Sequence, residues 1–259
     1  MFKLGSTPVD DINGPAMTNP LTQGRLELKY CVPEPIAAHV LDAARGHLVP
    51  EPLAPGAHQR VTSLYLDTPD LAFLRWHRER ASDRYKVRIR GYGKLPAATL
   101  YVELKSKSGS VVRKERDAFP AAALGAVVGQ CRAKHRATPR MLVSVVRESL
   151  RDPNEATAVT VDRALRYQST TWVDMVGDAR EWKPLPLPSC VGLTPVLVEL
   201  KFGAEAPEWM AALVAELVPW RVSYSKYATA MNCVDHTTSG VGCATFAHAS
   251  FESTVSQAA

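Results

Sequence analysis

The feature that most constrains the fold is a strict alternation of charged and apolar residues in several segments of the chain. The tripeptide Glu-Leu-Lys occurs three times, at positions 27–29, 103–105 and 199–201. Successive side chains on a β-strand point to opposite faces of the sheet. Each segment would therefore place its charged residues on one face and its apolar residues on the other, which predicts a sheet with one charged face.

A fourth segment, Lys86–Arg90, shows the same alternation and contains no acid. On the predicted charged face we count ten basic residues against three glutamates. The ten basic residues are Arg25, Lys29, Lys86, Arg88, Arg90, Lys105, Lys107, Lys114, Arg116 and Lys201.

Two explanations fit such a face. On an open, hydrated face the charges would pair across strands, at about 0.2–1 kcal/mol per pair. The excess of cations argues against this explanation, because unpaired like charges repel one another.

If the strands instead close into a barrel with this face inward, the lumen becomes a cationic tunnel that focuses the potential on a bound anion. Carboxylates in the tunnel would bind Mg²⁺ or Mn²⁺, and the whole set suits phosphoryl transfer.

The chain as a whole has an ordinary globular composition. It has 259 residues, a net charge of +5 and five scattered cysteines without Cys-x-x-Cys spacing. We find no apolar run of the ~20 residues that a membrane-spanning helix needs, and no secretory signal. We therefore expect a cytoplasmic protein. Its expected parts are a disordered arm (1–22), one tunnel domain (23–236) and a flexible tail (237–259).

Periodicity and turn residues predict an α+β protein with a closed, eight-stranded antiparallel barrel and peripheral helices. Strands are expected at about 24–32, 60–67, 83–92, 98–107, 110–118, 140–150, 156–167 and 191–202, and helices at about 34–47, 69–80, 120–135, 207–218 and 224–235. Residues 50–56 and 183–189 are expected to be loops, and 169–177 is ambiguous.

Several other chemistries lack their motifs. The chain contains no G-x-x-x-x-G-K-[ST] loop and no G-x-G-x-x-G segment after a strand, so neither nucleotide-binding fold is indicated. It also lacks the H-E-x-x-H and G-x-S-x-G motifs. Acids interspersed among the basic strand residues argue against a nucleic-acid partner.

The motifs, taken in order, resemble the VTC (vacuolar transporter chaperone) polyphosphate polymerase domain, a branch of the triphosphate tunnel metalloenzymes. The resemblance covers about residues 24–232. It rests on R-L-E-L-K-Y (25–30), S-L-Y-L-D-T (63–68), Y-K-V-R-I-R-G-Y-G (85–93), Y-V-E-L-K-S-K (101–107), R-K-E-R (113–116), V-E-L-K-F (198–202), P-E-W-M (207–210) and S-K-Y (225–227).

The resemblance implies a tunnel that holds ATP, inorganic triphosphate or polyphosphate, with Mn²⁺ or Mg²⁺ on one wall. The residues implied to grip the reacting phosphates are Lys29, Arg88, Arg90, Lys105, Arg147 and Lys226. Further implied substrate contacts are Arg25, Lys86, Lys107, Lys114, Arg116, Lys201 and Tyr227, the last closing one tunnel mouth. Glu199 is the principal implied metal ligand, with Glu27 and Glu103 as helpers.

Two positions depart from the family pattern. Where the family tends to have Tyr-x-Arg, this chain has Val145 in place of the tyrosine and keeps Arg147. Where the family tends to have Arg-x-Thr-x-Asp, this chain has Ala158 in place of the arginine. Loss of one phosphate-gripping arginine removes a charge-assisted contact of ~1.5–3 kcal/mol. Of the nearby arginines, Arg163 has the wrong strand parity to replace it; Arg166 stays a candidate.

Three functions remain open from the sequence: a polyphosphate polymerase that uses ATP, a tunnel triphosphatase, and a non-catalytic polyphosphate-binding module. Ala158 and Val145 motivate the third. The sequence does not identify the acceptor, the oligomeric state or a membrane-protein partner that threads the product away.

Overall fold

A computed structural model describes residues 26–51, 58–109, 111–153, 157–188 and 193–238. The expected N-terminal arm (1–22), the expected tail beyond residue 238 and the predicted substrate contact Arg25 lie outside the described residues. In the part of the chain that is described, no helix is long and apolar enough to cross a membrane.

The described chain contains ten strands and five α-helices. The strands are β1 Leu26–Pro33, β2 Val49–Pro50, β3 Gln59–Asp67, β4 Arg84–Tyr92, β5 Thr99–Ser108, β6 Val111–Pro120, β7 Thr138–Arg151, β8 Ala158–Ser169, β9 Lys183–Pro184 and β10 Pro195–Phe202. The helices are α1 Glu34–Arg45, α2 Ala72–Arg78, α3 Leu124–His135, α4 Glu208–Glu216 and α5 Lys226–Thr238. Single 3₁₀ turns lie at Ala121–Ala123 and Val218–Trp220.

All the strands belong to one antiparallel sheet with the order β1-β10-β8-β7-β3-β4-β5-β6. The two-residue strands β2 and β9 add to β7 and β8. Within the described residues no ladder joins β1 to β6, so the expected closure into a barrel is wrong: the sheet is open at these two edges. Alternation determines which face a side chain occupies and carries no information about whether the two edge strands pair.

The two faces of the sheet are covered differently. On one face, α1 and α4 pack against β1, β8 and β10, while α2 and α3 pack against β3 to β6. We call this the outer face; it carries Thr62, Leu64, Val87 and Ile89. The opposite face, which carries Ser63, Tyr65, Arg88 and Arg90, is the inner face. The apolar part of the inner face, on β3, β7 and β8, is covered by α5.

Local sequence explains where two helices begin. Pro35 lies in the first turn of α1, where its missing N–H is no loss. At α2, the buried carboxylate of Asp67 accepts hydrogen bonds from the backbone N–H groups of Phe73 (2.9 Å) and Leu74 (3.0 Å). The same carboxylate accepts the hydroxyl of Tyr227 in α5 (2.8 Å). Asp67 thus joins α2 and α5 to the sheet.

Candidate functional site

Strand pairing places the predicted charged residues together on the inner face. Lys29 of β1 lies opposite Glu199 of β10, and Glu27 lies opposite Lys201. In the other half of the sheet, Arg88 of β4 lies opposite Glu103 of β5, which lies opposite Arg116 of β6. Lys86, Lys105 and Lys114 form the adjacent row across the same three strands.

One group of charges is centred on Glu199, which is 5% exposed. Its carboxylate accepts hydrogen bonds from Lys29 (2.9 Å), Lys201 (2.8 Å) and Lys226 (2.9 Å). Lys29 also donates to Glu27, so the two glutamates share one ammonium group. Lys226 is the first residue of α5, and the packing of that helix on the inner face brings its side chain to this group.

Asp162 extends this group and is a site residue that the sequence reasoning did not single out. Its side chain is completely buried. Its carboxylate accepts two hydrogen bonds from Arg147 (2.6 and 2.7 Å) and lies 2.7 Å from the ammonium nitrogen of Lys226. The Thr-x-Asp part of the family pattern, at 160–162, was the signal that could have identified it. We call Glu27, Glu199, Asp162 and their basic partners the acidic group.

A second group of charges surrounds Glu103, which is 3% exposed. Arg88 pairs with it at 2.6 Å, and the nitrogens of Arg90, Arg116 and Lys114 lie 3.8, 3.7 and 4.0 Å away. The Oε1 atom of Glu103 accepts no hydrogen bond from the described part of the chain, although three of these cations approach it. Four cations therefore surround one carboxylate, and this basic group carries a net positive charge.

Charges from the two halves of the sheet act on each other across the inner face. Burial, together with the charges of Arg88, Lys29 and Lys105, lowers the pKa of Lys86 to about 8, against the opposing effect of Tyr65. Lys29 belongs to β1 and Lys86 to β4, which are far apart in the strand order. The contacts of α5 agree with this: Lys226 pairs with Glu199 of β10, while the neighbouring Tyr227 stacks on Tyr65 of β3.

Tyr65 lies between these charges and was not predicted as a site residue. Its ring is stacked on Tyr227 and its hydroxyl accepts a hydrogen bond from Arg88 (3.4 Å). The ammonium group of Lys86 lies 5.2 Å from the ring centroid. Burial raises the pKa of Tyr65, but the surrounding positive charges outweigh burial and lower it to about 7.

The acids on the inner face are ionised at neutral pH. Burial alone would raise the pKa of each carboxyl, but the adjacent cations dominate. The pKa of Glu27 is lowered to about 2, and those of Glu103, Glu199 and Asp162 are also lowered. An ionised carboxylate is the form that binds a metal ion.

The remaining predicted residues are placed as follows. Lys105 is exposed on β5, and Lys107 is half-buried two residues further along the inner face. Tyr227 is buried, with its hydroxyl donating to Asp67 and its ring against Tyr65. The structure thus gives Tyr227 a packing contact, and its expected role at a tunnel mouth stays a prediction.

The two departures from the family pattern also lie on the inner face. Val145 is buried in the apolar cluster beneath α5, and Ala158 lies directly opposite Lys201. An arginine at 158 would stand beside Lys201, next to the acidic group. Arg163 pairs instead with Glu34 of α1 at the outer face, as its parity predicts. Arg166 also lies on the outer face because Ala164, with φ of 46°, shifts the alternation of β8.

The carboxylates suit a divalent cation only in part. In the described ranges no cluster of three or more histidine, cysteine, aspartate or glutamate side chains is arranged to hold a metal. Glu27 and Glu199 meet at Lys29, and Mg²⁺ typically uses one or two carboxylates together with substrate phosphates and water. These two acids therefore fit the expected metal. Glu103 shares no basic partner with them and belongs to the basic group.

Comparison with solved structures gave distant likenesses. A protein from Vibrio parahaemolyticus described as a "putative adenylate cyclase" is 11% identical, with a TM-score of 0.46 over 80% of this chain and 97% of that one. A protein from Bacillus halodurans with the same description is 12% identical, with a TM-score of 0.45 over 78% of this chain and 95% of that one. Likenesses of this strength carry no argument about fold or function.

A comparison with curated proteins found no match. The sequence profile of the VTC domain matches residues 24–124 and 120–235, which together contain every strand and nearly all of every helix described above. Both charged groups of the inner face lie within the matched segments. The chain belongs to the VTC domain family.

Proposed function

We propose that the protein is a metal-dependent polyphosphate polymerase that transfers the γ-phosphate of ATP to the end of a polyphosphate chain on the inner face of the sheet. In this reaction the bond between the γ-phosphorus and the oxygen that bridges the β- and γ-phosphates breaks, and ADP leaves with that oxygen. A terminal oxygen of the polyphosphate forms the new bond to the γ-phosphorus. Such a transfer requires positioning and charge neutralisation but no protein nucleophile.

The observation that carries the proposal is the four-to-one excess of cations around Glu103. Arg88, Arg90, Arg116 and Lys114 cannot all be satisfied by one carboxylate. Guanidinium groups donate paired hydrogen bonds that match phosphate oxygens. We assign the phosphate chain to this basic group, with Lys86 and Lys105 as the next cations along it.

The acidic group supplies the second requirement. Mn²⁺ or Mg²⁺ held by Glu199 and Glu27 would neutralise charge that develops on the transferred phosphate. Lys29 lies between these two carboxylates and donates to both. Arg147 and Lys226 are oriented by Asp162, which keeps their donors on the inner face. In this assignment Asp162 is a positioning residue.

One observation favours a second candidate function, a polyphosphate-binding module without turnover. Ala158 leaves the position opposite Lys201 without the arginine that the family pattern has there. If that contact forms only in the transition state, its absence lowers the rate ~10- to 100-fold. A triphosphatase differs from the polymerase only in the acceptor, which would be water.

The deciding experiment is incubation of the full chain with ATP and Mn²⁺, followed by ³¹P NMR of the products. The polymerase gives ADP together with internal phosphoanhydride signals of a long chain. Orthophosphate as the only phosphate product would replace the proposal with hydrolysis. Tight binding of polyphosphate without any product would support the second candidate, a binding module without turnover.

Two arginines of β6 provide a matched pair of variants. Arg116 lies on the inner face near Glu103, whereas Arg113 is exposed on the outer face of the same strand. Arg116→Gln is expected to weaken polyphosphate binding about tenfold or more. Arg113→Gln, which removes the same charge, is expected to leave binding within about twofold.

A further inference from the structure

A separate pocket lies on the outer face of the sheet, away from both charged groups. It has a volume of about 440 Å³, within the ~300–1,000 Å³ range of small-molecule sites. Arg60 and Thr62 of β3 and Arg166 of β8 form its polar side. These residues alternate with Val61 and Ser63, so the pocket and the inner face lie on opposite sides of the same strands.

The polar side of this pocket is rich in donors that lack anionic partners. Arg60 donates to the hydroxyl of Ser144 (3.3 Å), which also accepts from Thr62 (3.2 Å). Among the residues that the structure describes, the buried Nε of Arg166 has no hydrogen-bond partner. Within the described residues, no carboxylate lies within ion-pair distance of either guanidinium group. Ser144, which accepts from Arg60, lies directly opposite Arg166 in the β7–β8 ladder, so the two cations are close. Burial lowers the pKa of Arg166, and the charge of Arg60 lowers it further.

Acids next to pocket-lining residues are already engaged; Asp174 accepts from the backbone N–H groups of Val176 and Gly177 (both 2.8 Å). Glu148 lies 4.0 Å from His58 at the rim, but it is held by Arg45 (2.8 Å) and Arg163 (3.5 Å). Glu181 accepts a hydrogen bond from Gln168 at 2.8 Å. Neither carboxylate neutralises the pair of arginines. The pocket therefore keeps an uncompensated positive charge, to which exposed Lys94 adds.

The other side of the pocket is apolar. Leu95, Val176 and Trp182 line it, and the guanidinium group of Arg166 lies 4.6 Å from the ring centroid of Trp182. A ligand that uses both sides needs an anionic end for the arginines and a flat or apolar body for this wall. Bare phosphate would satisfy only the first requirement.

We infer that this outer-face pocket binds a small organic phosphate, with its phosphate group between Arg60 and Arg166 and its apolar part against Leu95, Val176 and Trp182. Guanidinium forks are matched to phosphate oxygens, and the hydroxyl of Thr62 completes the donor set. This site is separate from the inner-face site that we propose for the polyphosphate chain.

Titration calorimetry of the full chain with phenyl phosphate and with inorganic phosphate tests the inference. Phenyl phosphate is expected to bind about tenfold more tightly, because its ring removes apolar surface from water. Arg166→Gln and Arg60→Gln are each expected to weaken phenyl phosphate about tenfold or more. Arg180→Gln, an exposed arginine outside the pocket, is expected to leave it unchanged.

A second pair of variants avoids the buried arginines. Val176 and Val173 are exposed to a similar extent, 48% and 45%, but only Val176 lines the pocket. Val176→Glu brings a carboxylate to the phosphate and is expected to abolish detectable binding of phenyl phosphate, whereas Val173→Glu is expected to preserve it. Unchanged tripolyphosphate binding on the inner face checks that each variant is folded.

The inference is overturned if phenyl phosphate does not bind the unmodified chain at about 1 mM. It is also overturned if Val176→Glu binds as well as Val173→Glu, or if Arg88→Gln on the inner face removes the binding while Arg166→Gln does not. Each of these outcomes leaves the polymerase proposal untouched, because that proposal depends only on the inner face.

Discussion

Individual charged side chains on the inner face divide into two groups with different balances. Glu27, Glu199 and Asp162 nearly neutralise their basic partners, whereas Glu103 is outnumbered. In the proposed function, the phosphate chain binds the group with excess positive charge, and the divalent cation binds the group that supplies paired carboxylates. The proposal therefore gives different tasks to glutamates that look equivalent in the sequence.

Replacement of Glu199 tests the metal assignment. We expect Glu199→Gln to abolish the increase in tripolyphosphate affinity that Mn²⁺ produces, while affinity without metal is retained or rises because three lysines lose their shared anion. Calorimetry with and without Mn²⁺ measures both. Glu205→Gln, at an exposed position shortly after β10, is the control. A full Mn²⁺ effect in Glu199→Gln would remove this residue from the metal site.

Asp162 has a role in stability as well as in positioning. Asp162→Asn removes the buried anionic partner of Arg147 and one of the two anionic partners of Lys226, which keeps Glu199. Breaking a buried pair costs about 3–5 kcal/mol. The pKa of Asp162 is lowered on folding, so its contribution is complete above the unfolded-state pKa of about 3.9 and is lost as pH falls toward the folded-state pKa. Urea unfolding should show a difference between the two proteins that is largest at neutral pH and shrinks in acid. A difference that grows in acid would contradict this.

Lys86 and Tyr65 give the inner face a pH dependence near neutrality. With the pKa of Lys86 at about 8 and that of Tyr65 at about 7, raising the pH removes a positive charge and adds a negative one beside the phosphate path. Tripolyphosphate affinity should therefore fall between pH 7 and pH 9. We expect the fall to be smaller in Lys86→Met and in Tyr65→Phe, measured by calorimetry at constant ionic strength. An equal fall in all three proteins would exclude these residues as the source.

Among the elements, α5 contributes to the inner face in two ways. Its first residue, Lys226, reaches both Glu199 and Asp162, and its apolar side covers the uncharged part of β7 and β8. The link from Tyr227 to Asp67 ties α5 to the start of α2, which Asp67 caps. The position of Lys226 therefore depends on Asp67, a carboxylate outside both charged groups.

Tyr227→Phe separates packing from ligand binding. It removes the hydroxyl that Asp67 accepts and keeps the ring against Tyr65, at an expected cost of about 1–2 kcal/mol. Hydrogen exchange should speed up in α2 and α5, while polyphosphate affinity changes by less than about twofold if the packing contact is the whole role of Tyr227. A large loss of affinity without faster exchange would restore the expected role at the tunnel mouth.

The eight long strands and five helices follow from the sequence because alternation, prolines and turn residues are local signals. The expected ranges 60–67 and 83–92 correspond to β3 Gln59–Asp67 and β4 Arg84–Tyr92. The segments that form the two-residue strands β2 and β9 were expected to be loops. They pair only because the longer strands β7 and β8 run beside them, which local sequence signals do not reveal. Asp67 could not be recognised as a link between helices, because its partner Tyr227 is remote in sequence.

The charged stripes on the inner face were predictable because alternation is also a local signal. The odd or even position of each residue along its strand correctly indicated that these charges share one side of the sheet. The grouping of those charges was not predictable, since it depends on which strands are neighbours. Asp162 lies beside Lys226 only because α5 packs on the inner face. The bulge at Ala164, which sends Arg166 to the outer face, has no comparable signal in the sequence.

In the whole molecule, a single curved antiparallel sheet separates two environments. Its inner face gathers cations from β1, β4, β5, β6, β7 and β10, and its outer face carries the helices and the second pocket. The expected barrel is open between β1 and β6 in the described residues, yet α5 spans the inner face from Glu199 of β10 to Tyr65 of β3. We propose that the charged stripes face a shared space without edge pairing.

A crystal structure of the chain with tripolyphosphate and Mn²⁺ would show directly whether that shared space is the binding site. We predict phosphate oxygens within hydrogen-bond distance of Arg88, Arg90 and Arg116, and an anomalous manganese peak beside Glu199. Tripolyphosphate bound only at the outer face, with the inner-face ion pairs intact and no manganese at Glu199, would contradict the proposed function.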